Sequence, residues 1–405
     1  MNGPPPRGPM TSFGVYVHFP WCVRKCPYCD FNSHARPGDD VPEETYVAAL
    51  LADLDAQLDP QAALLTGGGE VAVASREVAS IFLGGGTPSL FSPRAIARVL
   101  EGLRAKLRFA ADIEITMEAN PGTLERGRFA DYAAAGVNRV SLGAQTFSSS
   151  ALTTLGRIHS PADTQRAAEE LHAVGLDNFN LDLMYALPQQ SIATAIFDVD
   201  TALALAPRQI SHYQLTLEPH TPFAARPPAG MPEDELADEM FAACAARLDA
   251  AGYRRYEVSA HARVGGECRH NLGYWQFGDY LGLGAGAHGK WSWRDARTNS
   301  LIVRRSTQAR DPRKFGRDPR AALAVRTVAA QELPFEFLLN ALRLVAGTTR
   351  TTFEATTGLD WQVLAPGIAR GFARGLLEGD PEAAIRASPR GYAFLNDLLL
   401  VMHSD

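Results

Sequence analysis

His18-Phe-Pro-Trp-Cys22-Val-Arg-Lys-Cys26-Pro-Tyr-Cys29-Asp-Phe-Asn32 is the most informative stretch of this 405-residue chain. It places three cysteines within eight residues, with the spacing C-x3-C-x2-C. Three thiolates on one short loop can each bind one iron of a cubane 4Fe-4S cluster, which leaves the fourth iron without a protein ligand. That iron is available for chemistry or for a small chelating ligand. We therefore predict that the three cysteines ligate a 4Fe-4S cluster.

A zinc site is the alternative for the same cysteines, with His18 or His34 as the fourth ligand. Structural zinc sites usually combine a C-x2-C pair with a second, distant pair of ligands. The two remaining cysteines, Cys244 and Cys268, are isolated from each other in the sequence. The pattern favours the cluster, and a zinc-stabilised binding module remains as an alternative function.

From about residue 13 to about residue 251, short β-branched runs alternate with amphipathic helical stretches. This alternation predicts an α/β fold with a parallel sheet, and its six units suit a partial (β/α)6 barrel. In such barrels the functional residues gather at the C-terminal ends of the strands, and the cysteine loop follows the first strand directly. Strands are predicted at 14–18, 78–83, 113–118, 139–143, 179–184 and 210–217, and helices at 45–58, 93–107, 124–135, 162–174, 191–205 and 233–250.

The flanking sequence divides the chain into further parts. Residues 1–12 predict a disordered lead-in, and 13–251 the partial barrel. Residues 252–310 predict added strands and loops packed on the barrel, including the motif His270-Asn-Leu-Gly-Tyr-Trp275. Residues 320–405 predict a small α-rich, winged-helix-like domain with helices at 335–345 and 360–377 and a strand-like end at 390–394.

Composition and charge exclude several classes of function. A net charge of −6 gives the chain no electrostatic footprint for nucleic acid. No apolar run approaches the roughly 20 residues needed to span a bilayer, and the first ten residues have no apolar core for a secretory signal. Five cysteines, three of them in one loop, indicate reduced thiols in the cytoplasm rather than disulfides. Peripheral membrane contact and a homodimer stay compatible with the sequence.

One β/α unit after the cysteines comes the glycine-rich turn Leu83-Gly-Gly-Gly-Thr-Pro-Ser89, followed by Met117-Glu-Ala-Asn-Pro-Gly-Thr123 and Arg139-Val-Ser-Leu-Gly-Ala-Gln-Thr-Phe147. Leu155-Gly-Arg-Ile-His159 and Asn180-Leu-Asp-Leu-Met-Tyr-Ala-Leu-Pro188 come next. This ordered set resembles the radical S-adenosylmethionine (SAM) superfamily, and within it the branch that is similar to oxygen-independent coproporphyrinogen III oxidase. The resemblance extends over nearly the whole chain.

The resemblance implies that the amino and carboxylate groups of SAM chelate the open iron. It further implies roles in holding SAM for residues after the strands, namely Tyr16, Tyr28, Gly85, Gly86, Thr87, Glu118, Gln145, Arg157 and Asp182. Gly85 and Gly86 would line the methionine end, Glu118 would meet the amino group, and Arg157 would meet the carboxylate. Gln145 and Asp182 would hold the ribose hydroxyls, and Tyr28 would lie near the adenine. As alternatives, Glu118 and Asp182 could cap helices and Arg157 could be a surface charge.

Two functions compete within this branch. The oxidase carries a further cysteine two residues after the third ligand, where this chain has Phe31, and it has an N-terminal extension ahead of its first strand. Both differences disfavour oxidation of coproporphyrinogen and favour the haem chaperones of the branch, which bind haem and pass it to haem proteins. Whether this chain is an enzyme stays open, because a haem carrier need not use the radical that SAM cleavage supplies.

For the haem chaperones, the resemblance implies that His270 binds haem, with Tyr274 and Trp275 beside it. A neutral imidazole is a good axial ligand, and reversible binding predicts an exposed His270. The alternative is a core histidine with hydrogen-bonded ring nitrogens. The implied partners are haem and haem-accepting proteins. We expect the cluster and SAM to order the barrel mouth and to support dimer formation or haem transfer.

Overall fold

A computed structural model of the chain describes residues 13–36, 41–59, 76–122, 129–295 and 297–403. The predicted lead-in at 1–12 and the first part of the helix predicted at 124–135 lie outside the described residues. The strands are β1 (Phe13–Phe19), β2 (Trp21–Cys22), β3 (His34–Ala35), β4 (Glu77–Gly85), β5 (Arg108–Ala119), β6 (Arg139–Gln145), β7 (Phe179–Tyr185), β8 (Gln209–Gln214), β9 (Arg254–Arg255), β10 (Ala260–Ala262), β11 (Tyr280–Leu283), β12 (His288–Arg294), β13 (Leu301–Gln308), β14 (Leu323–Thr327), β15 (Thr348–Thr349), β16 (Leu377–Asp380) and β17 (Ala384–Ala387).

The helices alternate with the strands through the first part of the chain and dominate its end. The α-helices are α1 (Glu43–Leu58), α2 (Pro93–Lys106), α3 (Phe129–Ala135), α4 (Ser149–Thr154), α5 (Pro161–Ala173), α6 (Ile192–Ala204), α7 (Pro222–Ala225), α8 (Asp234–Ala250), α9 (Arg269–Trp275), α10 (Pro312–Arg317), α11 (Pro319–Ala322), α12 (Leu333–Ala341), α13 (Arg350–Thr357), α14 (Ala365–Ala373), α15 (Pro389–Ala393) and α16 (Leu395–His403). Short 3-10 helices lie at Pro88–Leu90 and Trp361–Leu364.

Six parallel strands form the centre of the fold, in the order β1-β4-β5-β6-β7-β8. Each of β1 and β7 has one residue that is not fully buried, and all seven residues of β6 are buried. Strands of this kind are covered on both faces, here by helices outside and by side chains within the barrel. The predicted α/β fold with a partial (β/α)6 barrel is confirmed.

Local signals in the sequence start the outer helices. Ser92, Ser160 and Ser191 each accept a hydrogen bond from a backbone N–H in the first turn of α2, α5 and α6. Capping boxes complete α5 and α6, and proline occupies the first turn of α2 and α5. These caps satisfy N–H groups that have no partner within the helix.

The sheet continues beyond the barrel on both sides. On one side β11 pairs parallel with β1, and β12, β13 and β14 follow as antiparallel strands. On the other side β10 pairs antiparallel with β8 and β9 forms the edge. Within the described part of the chain, the full sheet has 12 strands. The residues predicted to be added strands therefore extend the barrel sheet itself.

The C-terminal part is helical and carries a small antiparallel sheet in the order β15-β17-β16. The prediction of a strand-like end at 390–394 is wrong, because this segment is the helix α15. Ser388 caps that helix by accepting a hydrogen bond from Gly391 N–H, and Pro389 occupies its first turn. A serine followed by proline is a helix start signal, and it accounts for the helix.

The two largest of three hydrophobic cores correspond to these two parts. The larger core lies between the barrel strands and α1, α2, α3, α5, α6 and α8. The smaller core joins the C-terminal helices to Phe277 and Val303 of the barrel extension. Across the described residues, no helix is both long enough and apolar enough to cross a membrane.

Candidate functional site

The three predicted cluster ligands lie on the loop that follows β1. Cys22 lies in β2, and the loop through Cys26 and Cys29 ends in β3, which pairs with β2. All three thiols are partly exposed, and each has a polar neighbour. The Thr87 hydroxyl donates to Cys22 Sγ at 3.4 Å, Arg157 Nη1 donates to Cys26 Sγ at 3.8 Å, and Ser33 Oγ lies 3.7 Å from Cys29 Sγ. Hydroxyl and guanidinium donors stabilise thiolates, which are the form that binds iron.

Hydrogen bonds of His18 and Asn32 fix this loop to the barrel. His18 lies at the end of β1, and its Nε2 is 2.9 Å from Asn32 O. The Asn32 amide in turn donates to Ala285 O at 2.9 Å and to Arg310 O at 3.0 Å. Burial lowers the pKa of His18 to about 4, so its imidazole is neutral at pH 7. Tyr16 OH lies 3.0 Å from the other nitrogen of that ring, so both His18 nitrogens have partners.

The glycine turn after β4 lies against the cysteine loop. Gly85 has a φ of +113°, and a Cβ at this position would lie 2.5 Å from the His18 ring. A Cβ on Gly86 would lie 2.6 Å from Trp21 O. Only glycine allows this approach of the two backbones, which brings Thr87 to the Cys22 thiol. The predicted residues Gly85, Gly86 and Thr87 are therefore next to the cluster ligands.

Glu118 faces the same turn from the end of β5. Its Oε2 accepts a hydrogen bond from Gly85 N–H at 2.9 Å. Burial is the largest cause that raises the pKa of Glu118 to about 7, the Gly85 bond opposes this shift, and the charge of Asp182 adds to it. The Glu118 carboxylate therefore contacts the glycine turn.

Gln145 is the last residue of β6, and Asp182 lies in the middle of the neighbouring strand β7. Asp182 accepts hydrogen bonds from Asn180 Nδ2 at 2.8 Å and from Ser141 Oγ at 3.2 Å, while Ser191 caps the following helix in its place. Burial raises the pKa of Asp182, and the bonds from Asn180 and Ser141 oppose that shift. Gln145 has a φ of +66°, and its Oε1 accepts a hydrogen bond from Tyr213 OH at 2.7 Å.

Arg157 connects the cysteine loop to the strand ends. Besides Cys26, its guanidinium donates to Gly143 O at 2.8 Å and to Asn120 Oδ1. The neighbouring charges of Tyr28 and Cys26 raise the pKa of Arg157 despite its burial. It is therefore not a surface charge. Tyr28 packs near Phe223, with ring centroids 6.3 Å apart, in a small apolar cluster with Leu155.

Two further residues of this site, Asn120 and Tyr213, are not among the residues predicted from the sequence. Asn120 Nδ2 donates to Thr87 Oγ1 at 3.0 Å and Asn120 Oδ1 accepts from Arg157, so Asn120 links the two groups that contact Cys22 and Cys26. It stands in the quoted motif around Glu118, where it could have been found. Tyr213, on β8, is recognised only through its bond to Gln145.

The residues present fit a 4Fe-4S cluster with SAM. Three partly exposed thiols lie next to a glycine cradle in which any side chain would clash, and carboxylates and an arginine line the adjoining barrel mouth. Among the described residues, no three His, Cys, Asp or Glu side chains converge on a point that could hold a single metal ion. A cubane has no need of such convergence, since each thiolate binds a different iron.

His270 is not at the barrel mouth. The expectation of an exposed His270 is wrong, because only 2% of the residue is exposed. Its Nδ1 lies 3.0 Å from Ser80 Oγ and its Nε2 lies 2.9 Å from Tyr274 OH, and its ring stacks on Phe82 with centroids 5.3 Å apart. Burial lowers the pKa of His270 to about 3. The sequence shows the aromatic neighbours Tyr274 and Trp275. The burial of His270 comes from the packing of α9 against β4, which the sequence does not show.

Comparison with known proteins gives the following similarities. Residues 16–200 match the radical SAM superfamily, and residues 328–394 match the HemN C-terminal domain. The chain is 47% identical over 391 residues to "Heme chaperone HemW" of Escherichia coli (strain K12), covering 96% of this chain and 98% of that protein. It is 40% identical over 390 residues to "Heme chaperone HemW" of Haemophilus influenzae, covering 96% and 97%.

Among solved structures, the coproporphyrinogen III oxidase HemN from Escherichia coli, a radical SAM enzyme, superposes with a TM-score of 0.78. The superposition covers 98% of this chain and 92% of the oxidase. Sequence identity across it is 20%, so the likeness establishes the shared fold.

Proposed function

Because this chain belongs to the radical SAM superfamily and, within it, to the family of HemW haem chaperones, we propose that it binds haem and delivers it to haem proteins. The observation that carries this proposal is the similarity to "Heme chaperone HemW" along 98% of the length of the Escherichia coli protein. The similarity includes the barrel, its extension and the C-terminal part. A shared fold alone would be weaker support, since one fold serves many functions.

We assign the cluster to Cys22, Cys26 and Cys29, with SAM beside it. The cluster supplies an open iron that can chelate SAM, and electrons that can cleave it. Thr87, Ser33 and Arg157 place donors at the thiolates. Glu118 would meet the amino group of SAM and Arg157 its carboxylate, and Gln145 and Asp182 would bind its ribose.

Coproporphyrinogen oxidation is the second candidate, because the oxidase HemN has the same fold. Phe31 disfavours it. This side chain occupies the position at which the oxidase pattern has its further cysteine, and it is 63% exposed beside the cluster loop. A phenyl ring cannot replace a thiol in ligation or proton transfer, so the oxidase chemistry lacks one of its groups.

The experiment that separates these candidates uses the cluster-containing protein under anaerobic conditions. Haem titration should produce a saturable Soret difference spectrum. Incubation of the reduced protein with SAM and coproporphyrinogen III should leave the substrate unchanged. Formation of protoporphyrinogen IX would contradict the chaperone proposal, and a colourless protein with zinc but no iron or sulfide would favour the zinc-stabilised module.

Several finer assignments remain predictions. His270 as haem ligand would have to give up two hydrogen bonds and leave its buried position. A homodimer, peripheral membrane contact and a cytoplasmic location rest on the sequence alone. Iron ligation by His270 is tested by haem titration of His270→Ala, for which an unchanged Soret difference spectrum would remove His270 from the site.

A further inference from the structure

A groove of about 990 Å³ lies on the outside of the barrel, between the cysteine loop, the start of α1 and the helix α10. This volume is at the upper end of the range that small-molecule pockets occupy. Of the described residues that line the groove, none belongs to the predicted SAM set, so it is separate from the barrel mouth. The cysteine loop forms one wall, from Phe31 to His34, and the segment 310–317 forms the opposite wall.

The charge of the groove is opposite to that of the chain. Five of its lining residues are cationic, namely Lys25, Arg36, Arg310, Arg313 and Arg317, and Asp311 is the one carboxylate among the described lining residues. The whole chain carries a net charge of −6. A concentration of guanidinium groups on an acidic protein indicates an anionic ligand, and arginine forms paired hydrogen bonds with carboxylates.

The groove also has an aromatic wall and an imidazole. Phe31 is 63% exposed, which is unusual for a large apolar side chain, and the buried Trp21 also lines the groove. His34 is exposed and is the one histidine among the described lining residues. The groove thus combines a flat apolar surface, several arginines and one accessible nitrogen ligand.

The two walls are held at a fixed separation by Asn32. Its amide donates to Arg310 O at 3.0 Å, and its Oδ1 accepts from Arg310 Nε at 3.4 Å. On the loop side, Lys25 Nζ donates to Phe31 O at 3.0 Å and to Ser33 O at 3.1 Å. A site whose walls are connected in this way is organised before its ligand arrives, which reduces the entropic cost of binding.

We infer that this groove binds the haem that the chain carries: the porphyrin face lies on Phe31, the two carboxylates meet the arginines of the opposite wall, and His34 reaches the iron. The inference rests on the proposed function and names the site at which haem would bind. It also gives Phe31 a function: the residue at the position of the oxidase cysteine would be part of the surface that contacts haem. Haem would then lie against the loop that carries the cluster ligands.

The test is haem titration of the cluster-containing protein with charge-reversal and truncation variants. Arg313→Glu with Arg317→Glu should raise the Kd for haem about tenfold, because charge-assisted contacts to the carboxylates are lost. The matched control is Arg374→Glu with Arg390→Glu, two exposed arginines of the C-terminal part, which should leave the Kd unchanged. Haem dimethyl ester has no carboxylate charges, so its binding should not respond to either pair.

The aromatic and imidazole contributions have their own controls. Phe31→Ala should weaken haem binding, whereas Phe197→Ala removes a phenyl ring of similar exposure, 58%, on the distant helix α6 and should not. His34→Ala should shift the Soret maximum of bound haem, and His403→Ala should not. Iron and sulfide content and thermal midpoints are measured for every variant, to establish that cluster and fold are retained.

The outcomes separate the inference from the function on which it rests. Failure of the unaltered protein to bind haem would contradict the proposed function itself. If that protein binds haem and the groove variants bind as tightly as their controls, the groove is not the site and the chaperone function stands. Loss of binding in His270→Ala with intact binding in the groove variants would likewise overturn the groove and favour the buried motif.

Discussion

Burial raises the pKa of the Glu118 carboxyl group. Its pKa is raised from 4.5 to about 7, so between these pH values the folded protein keeps a proton that the unfolded chain has lost. The free energy of unfolding therefore falls as pH rises through this window. Glu118→Gln removes the titration, so the variant should gain about 1–3 kcal/mol relative to the parent between pH 5 and pH 8.

Urea unfolding of both proteins without SAM, at several pH values, measures this difference. A stability gap that does not change with pH would show that the carboxylate titrates as it does in water. Because Gln can still accept the Gly85 hydrogen bond, the comparison isolates the charge.

Arg157 is the second residue whose function can be isolated. Arg157→Gln removes the guanidinium that contacts Cys26, Gly143 and Asn120. We expect the Kd for SAM to rise at least about tenfold, since contacts to a charged partner contribute about 1.5–3 kcal/mol. Arg166→Gln, on the exposed face of α5, is the control. Equal SAM affinity in both variants, measured by equilibrium dialysis, would remove Arg157 from the SAM site.

At the scale of elements, the cysteine loop depends on contacts that no cysteine makes. Asn32 connects it to the Gly284–Ala285 turn and to Arg310, so Asn32→Ala should leave the ligands present but the loop less ordered. We expect the cluster to assemble in Asn32→Ala as it does in the parent. In the presence of an iron chelator, the variant should then lose its cluster absorbance faster than the parent. A loss rate equal to that of the parent would show that the thiolates alone hold the loop.

The elements themselves were largely predictable from the sequence. The six barrel strands and their helices lie within a few residues of their predicted positions, except β5, which begins five residues earlier than predicted, because strand and helix periodicities alternate clearly there. The prediction of a strand-like end at 390–394 is wrong, because Ser388 and Pro389 start a helix there. The burial of His270 was not predictable, since it depends on Ser80 and Phe82 of β4, which are 190 and 188 residues away in the chain.

At the scale of the whole molecule, Arg255 joins the barrel to the C-terminal part. Its guanidinium lies over Phe241 of α8, 4.6 Å from the ring centroid, and over Tyr392 of α15, at 4.4 Å. Arg255→Ala should lower the free energy of unfolding by about 1–2 kcal/mol, because a cation between two rings is lost. Arg374→Ala is the surface control. Unchanged denaturation and unchanged protease sensitivity of the C-terminal part would show that this contact contributes nothing to the attachment.

The central claim is that this radical SAM chain carries haem, and haem transfer tests it most directly. The cluster-containing protein is loaded with one equivalent of haem, mixed with an apo-haem protein, and the acceptor's Soret band is followed over time. The account predicts that haem moves to the acceptor faster than from serum albumin loaded to the same haem concentration. The account would be contradicted if the chain does not bind haem, or if it binds haem and the acceptor remains without it.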